Sequence, residues 1–179
     1  MPQGKKKVAL GNMVAFIGYF GEWILKLDEK FRIVIPSRLR ESARAFGFDS
    51  WYLAPGDNQT ILLFDRDGWN LLRQNAGKAG ADDAQALAFR RMFFSLAEDA
   101  RPDPQGRMPL PQHLREHARL EKEVVLIGVD DHLEIWNKAA WDAFKKRNTA
   151  LYEELAPPLF AIRANNGAAT EKGGQNHEN

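Results

Sequence analysis

The chain has 179 residues, a formal net charge of +1 and no cysteine. That length suits one ordinary domain or two small ones, and the lack of cysteine excludes disulfides, thiolate metal sites and a cysteine nucleophile. Near-neutral charge excludes capture of polyanions by bulk electrostatics, so any nucleic-acid site has to be a local patch.

The chain begins with "KKKVALGNMVAFIGYF" from Lys5. A basic start before an apolar run resembles the front of a secretory signal, but Gly11 and Asn12 interrupt the run and no small-x-small cleavage pattern follows. No segment reaches the roughly 18–20 apolar residues of a membrane span. Residues 1–18 are expected to be a flexible extension, with Met13 as an alternative start of translation. Lys5, Lys6 and Lys7 make either a solubilising tail or a basic arm for phosphates or a minor groove.

A first module is predicted over 19–76. "WILKL" alternates, with Trp23, Leu25 and Leu27 on one face; "FRIVI" alternates with Phe31, Ile33 and Ile35 on one face. Period two with aromatic and β-branched residues predicts strands, and "DEK" between them predicts a tight turn and hence a hairpin. Pro36 closes the second strand and suits the first turn of a helix, "SRLRESARAF". "WYLAP", "GDNQ" and "TILLF" read strand, turn, strand, and Asp65 is placed to N-cap a helix carrying Trp69, Leu72 and Arg73.

Residues 77–95 are expected to be a linker, a Gly-rich loop within "NAGKAG" and then a helix starting at Asp82 or Asp83, with Leu87, Phe89, Met92 and Phe93 as its apolar set. A second module follows over 96–155: strand "LAEDA", turn "DPQG", strand "RMPLP", helix "QHLREHARL", strands "EVVLIG" and "HLEIW", and a helix from Asn137 to about Leu155. A hairpin alone is marginal in water, so the two modules are expected to bury their faces against each other and against the linker helix. The tail 156–179 ends in "NNGAATEKGGQNHEN", too poor in apolar residues to bury a core, and is expected to be disordered.

The second module repeats the first. At an offset of 75 residues, Asp28 meets Asp103, Arg32 meets Arg107, Pro36 meets Pro111, and Leu39-Arg40-Glu41 meets Leu114-Arg115-Glu116. At an offset of 72, Leu53 meets Val125, Gly56 meets Gly128, Leu63 meets Ile135 and Trp69 meets Trp141. One unit is present twice.

Each copy sets an aspartate four residues before an arginine across a turn. Asp28 and Arg32 either form an ion pair that only pins the turn, or the aspartate also holds the guanidinium in one rotamer, as a fork for phosphate or guanine. Lys30 at the tip and Arg38 and Arg40 on the following helix add positive charge, which Asp28 and Glu29 largely cancel. One such turn is expected to bind DNA weakly; several in fixed register bind well, because each contact raises the effective concentration of the next.

"YFGEWILKLDEKFRIVIPSRLRE", "DPQGRMPLPQHLRE" and "VVLIGVDDHLEIWNKAAWDAF" resemble the MraZ family over about Tyr19 to Phe144. The resemblance implies an α+β fold: two tandem swapped-hairpin AbrB-like β-β-α-β-β modules with intervening and C-terminal helices. It implies a bacterial DNA-binding transcriptional regulator, cytoplasmic and nucleoid-associated, without enzymatic activity or cofactor. Such regulators form ring-shaped homo-oligomers on short direct repeats in double-stranded DNA, upstream of the division and cell-wall gene cluster. Arg32 and Arg107 would be the principal DNA contacts, with Lys30, Arg38 and Gln105 as further contacts and Asp28, Asp103 and Gly106 as turn organisers.

Two departures stand out. The family usually has Gly before the Arg; the second copy keeps it as Gly106, whereas the first has Phe31. Gly accepts φ > 0 at no steric cost and Phe does not, so the first turn should take another shape, or Phe31 should project outward, toward a thymine methyl, a neighbouring subunit or the hairpin itself. On that ground Arg107→Ala is expected to weaken DNA binding more than Arg32→Ala. The second departure is Pro109, which removes a ladder hydrogen bond and points to an edge position.

Two other functions compete. "HLREH", His113 to His117, matches an inverted zinc-peptidase pattern, but it is one copy of a duplicated helix, with Arg38 and Ser42 at the histidine positions of the other. The alternative to DNA binding is a structural protein that assembles through its hairpins with little DNA affinity. Trp51, Trp69, Trp136 and Trp141 have apolar neighbours in sequence and are read as core or subunit interface rather than base-stacking platforms.

Overall fold

The computed structural model describes residues 7–10, 13–16, 18–45, 47–78 and 84–168. The described residues up to Lys138 form one compact unit, and those from Ala139 onward a second. The alternating segments form strands where expected: β3 (Tyr19–Lys26), β4 (Arg32–Val34), β5 (Trp51–Pro55), β6 (Ile61–Phe64), β7 (Glu98–Ala100), β8 (Arg107–Pro109), β9 (Glu123–Asp130) and β10 (Leu133–Asn137). An antiparallel pair, β1 (Lys7–Leu10) and β2 (Met13–Phe16), precedes them inside the extension expected to be flexible. Lys5 and Lys6 of the basic arm lie outside the described residues.

The pairing departs from the simple hairpins expected. β3 does not ladder with β4, nor β7 with β8. Six strands form one sheet in the order β3-β9-β10-β6-β5-β7, and β4 pairs with β8 in a separate two-stranded sheet. β3 runs antiparallel to β9 of the other copy, from Tyr19 opposite Asp130 to Lys26 opposite Glu123. In the equivalent pairing, β7 lies along β5. The sheet order is therefore unchanged when the copies are exchanged. Alternation assigns each side chain a face but does not name the neighbouring strand. The close approach of β3 uses Gly128, where a Cβ would collide with the backbone of Tyr19 and Phe20. Pro109 ends the short β4–β8 ladder opposite Arg32, so its missing N–H interrupts no central strand.

The core draws on matched positions of both copies. Ile33 and Met108, Ile35 and Leu110, Leu39 and Leu114, and Leu63 and Ile135 are all buried in it. The expected match of Leu53 with Val125 is one residue off: Leu53 lies opposite Leu63 and Leu126 opposite Ile135, so Leu126 takes the core place and Val125 is buried outside that cluster. Trp23, Leu25 and Leu27 pack against its edge as their alternation predicts. Phe31 does not join Ile33 and Ile35; half of its surface is exposed (50%).

The helices are α1 (Ser37–Ala45), α2 (Arg66–Lys78), α3 (Ala84–Ser95), α4 (Gln112–His117) and α5 (Lys138–Ala168). Asp65 caps α2: its Oδ1 accepts from the Gly68 N–H at 2.8 Å, while its Oδ2 accepts from the Tyr19 hydroxyl at 2.7 Å. Burial and the neighbouring carboxylate push the Tyr19 phenol well up. α2 continues through Asn75–Lys78, where a loop was expected; the candidate helix starts Asp82 and Asp83 lie outside the described residues. In α3 the expected apolar set does not become core. Phe89 and Met92 remain 61% and 64% exposed, and it is Phe93 and Phe94 that reach Trp69, with Phe94 edge-on at 5.6 Å. Trp51 and Trp136 are buried, and Trp69 stacks on Tyr52 at 5.2 Å, so these three serve packing as expected. In the second unit, Trp141 stacks on Phe144 at 5.5 Å. α5 does not stop near Leu155 but runs to Ala168 with Pro157 and Pro158 inside it; the rest of the tail, from residue 169, lies outside the described residues.

Candidate nucleic-acid interface

The turns at Asp28–Arg32 and Asp103–Arg107 are built alike. In the first, the Phe31 N–H donates to the Asp28 carbonyl at 2.9 Å and the Asp28 N–H to the Arg32 carbonyl at 3.0 Å; the second repeats both bonds through Gly106, Asp103 and Arg107 at 2.7 and 2.9 Å. One oxygen of each aspartate gathers two backbone donors: Asp28 Oδ1 accepts from the N–H of Lys30 and Arg32, and Asp103 Oδ1 from that of Gln105 and Arg107. The other oxygen takes the arginine, Arg32 Nε at 2.9 Å and Arg107 Nε at 2.7 Å. The aspartates thus organise the backbone and fix the guanidinium together, so the ion pair does more than close the turn.

Electrostatics follows this wiring. The hydrogen bond from the Arg32 guanidinium, with the backbone N–H groups, holds the Asp28 carboxyl below its ordinary range. The same bond raises the Arg32 guanidinium. Desolvation acts to raise the Asp103 carboxyl, but the Arg107 backbone N–H and guanidinium outweigh it and the net direction is down.

The β4–β8 ladder sets the two turns side by side, with Val34 opposite Arg107 and Arg32 opposite Pro109. Arg32 Nη1 comes within 3.7 Å of Asp103 Oδ2 of the other copy. Asp28, Lys30, Arg32, Asp103, Gln105, Gly106 and Arg107 therefore share one patch. Arg38, exposed on α1, lies with its guanidinium 4.0 Å over the Phe20 ring.

Two further arginines support the turns, each from the opposite copy. Arg115 on α4 donates from Nε to the Leu110 carbonyl at 3.0 Å and stacks 3.7 Å over the Phe31 ring. Its repeat partner Arg40 on α1 donates to the Ile35 carbonyl at 3.1 Å and lies against Gly106, where an added Cβ would sit 2.7 Å from Arg40 Nε. Arg40 was expected only to add charge and Arg115 to have no role, although both stand in the shared Leu-Arg-Glu.

The histidines of "HLREH" diverge. His113 Nε2 is 2.9 Å from the Leu96 carbonyl and His117 Nε2 2.8 Å from the Gly56 carbonyl. Among the described residues no group of three or more His, Asp or Glu is placed to hold a metal ion, and no helix is long and apolar enough to cross a membrane.

The comparison with known proteins agrees with the doubled signature. A family model described as "MraZ protein, putative antitoxin-like" matches residues 93–155. A protein named transcriptional regulator MraZ from Heliobacterium modesticaldum is 36% identical over 142 residues, covering 79% of this chain and 96% of the relative. Another of that name, from Moorella thermoacetica, is 36% identical over 141 residues, covering 79% and 96%. The chain belongs to the MraZ family.

At the position where the second copy carries Gly106, with φ +84°, Phe31 adopts φ +56°. The first turn thus keeps its shape and Phe31 bears the left-handed conformation, which costs a non-Gly residue about 1–2 kcal/mol. Its ring projects outward, one of the two outcomes expected, and finds Arg115. A cation–π contact of this kind returns about 0.5–1 kcal/mol at an exposed site. The two turn backbones are equivalent, so Phe31 in place of Gly gives no ground for ranking Arg107 over Arg32.

Proposed function

We propose that this MraZ-family protein is a sequence-specific DNA-binding transcriptional regulator and not an enzyme. It acts in the cytoplasm on the nucleoid, as a ring-shaped homo-oligomer on short direct repeats upstream of the division and cell-wall gene cluster. Its two copies are read as swapped-hairpin modules of AbrB type, a reading supported by the exchanged pairing of β3 with β9 and of β7 with β5. The observation that carries the function is the pair of adjacent turns, each presenting an arginine held by its own aspartate. Pre-oriented guanidiniums suit phosphate oxygens and guanine edges, and a chain of charge +1 needs such a local device. The names of the relatives point the same way.

The test is fluorescence anisotropy of the purified protein on the DNA upstream of its own gene, at several salt concentrations, beside an Arg32→Ala/Arg107→Ala double variant. The expected result is selective binding that falls steeply with salt, with a log–log slope near −0.9 per phosphate neutralised, and is lost in the variant. The exposed Phe89 and Met92 on α3 favour a second reading, an assembly protein with little DNA affinity. Absence of selective binding even at low salt would decide for it.

A further inference from the structure

Within that DNA-binding reading, and resting on it, we propose that the two turns of one chain do different work: the turn at 103–107 reads base edges through Arg107 and Gln105, and the turn at 28–32 anchors the phosphate backbone through Lys30.

The difference lies in what surrounds each arginine. Asp28 Oδ2 holds Arg32 at both Nε (2.9 Å) and Nη2 (2.7 Å), and Nη1 faces Asp103 Oδ2 at 3.7 Å. Every nitrogen of that guanidinium thus has a carboxylate within 4 Å, and the side chain is 24% exposed. A guanidinium covered by two carboxylates on its working edges has little left to offer a base. Arg107 meets one carboxylate, through Nε, and its side chain is 39% exposed. Its Nη2 donates to Gln105 Oε1 at 3.1 Å, a neutral acceptor, and the Nη1 edge stays clear of carboxylates among the described residues.

Gln105 stands where the first turn has Lys30. Its amide oxygen is used by Arg107, which orients its amide NH₂ as a donor beside the guanidinium. The pair presents donors in one rigid unit, which suits the O6 and N7 acceptors of guanine, the base edge that arginine reads bidentately. Lys30 cannot accept a hydrogen bond, so it cannot brace Arg32 in this way. Its side chain is exposed with no partner among the described residues, and a flexible ammonium acts on phosphate as a point charge, without sequence information. Position 29 carries Glu, which repels a base edge rich in acceptors, where position 104 carries Pro.

The experiment is anisotropy with two duplexes of equal length, the DNA upstream of the gene and a shuffled version, across a salt series. The proteins are the wild type, Arg107→Lys, Gln105→Ala and Lys30→Ala, each checked for an unchanged thermal melt. Arg107→Lys keeps the charge and loses the fork. It and Gln105→Ala are expected to shrink the preference for the upstream duplex about tenfold while leaving the salt slope alone. Lys30→Ala is expected to weaken both duplexes alike, keep the preference and reduce the slope by about 0.9. The division is overturned if Lys30→Ala removes the preference, or if Arg107→Lys and Gln105→Ala weaken both duplexes equally. A wild type that binds neither duplex overturns the DNA reading itself.

Discussion

The turns at 28–32 and 103–107 share every backbone hydrogen bond and differ in what surrounds it. In the second, Gly106 takes the left-handed conformation freely and Arg40 closes over it; in the first, Phe31 is forced into the same conformation beneath Arg115. The aspartate wiring and the β4–β8 ladder determine the turn, and the residue before the arginine adapts to them. The asymmetry that matters for binding therefore moves from the backbone to the guanidiniums, one faced by two carboxylates and the other by one.

The largest effect expected from this comparison is on DNA affinity. Arg107→Ala should weaken binding to the upstream DNA by about 10- to 100-fold, the scale of a bidentate contact, and Arg32→Ala by less than about tenfold, in the same anisotropy titration. Equal losses or the reverse order would break the ranking. Next in size, Gly106→Ala should destabilise the protein by about 1–2 kcal/mol in chemical unfolding, since it adds left-handed strain and a Cβ against Arg40. Phe31→Gly should change stability by less than about 1 kcal/mol, because relief of strain is offset by loss of the Arg115 stack. A large loss on Phe31→Gly would mean that the ring packs for more than its strain.

Acid should affect both turns in the same sense. The Asp28 and Asp103 carboxyls are lowered in the folded protein, so their contribution is present above the unfolded value near 4 and is lost as pH falls through the folded values. Thermal melts between pH 5 and 2.5 should show a smaller fall for Asp28→Asn than for the wild type. The smallest effect separates the copies at their other turns. His132, at the position of Thr60, has Nδ1 2.6 Å from Asp131 Oδ1 and Nε2 3.3 Å from Glu134 Oε1. Desolvation lowers its pKa, but the two carboxylates outweigh this and the net shift is up. Its contribution is full below about pH 6.5 and lost as pH rises through the folded value. Between pH 6 and 9 the wild type should lose melting temperature relative to His132→Gln; parallel curves would place no such device in the second copy.

Much of this was legible in the residues because it is local. The alternation of "WILKL", the cap at Asp65 and the buried equivalence of Leu39 with Leu114 rest on spacing alone. The doubled aspartate–arginine spacing located the patch. What was not legible depends on partners distant in sequence. Alternation said that Trp23, Leu25 and Leu27 share a face and could not say that β9 lies alongside. Phe31 looked incompatible with the turn because the arginine that covers it comes from the other copy. In α3 the period counted Phe89 and Met92 as core, but the helix meets its neighbours through Phe93 and Phe94.

The pairing of β3 with β9 also has a consequence on the ribosome. Lys26 waits for Glu123 and Tyr19 for Asp130. At about 5–20 residues per second, the hundred or so residues between them take on the order of 5–20 s to make. During that interval the nascent β3, with Phe20 and Ile24 on its outer side, is an open edge able to pair with another chain. Translation speed between the two copies thus sets how long the first remains unprotected, and a truncated product ending before residue 123 never acquires its cover.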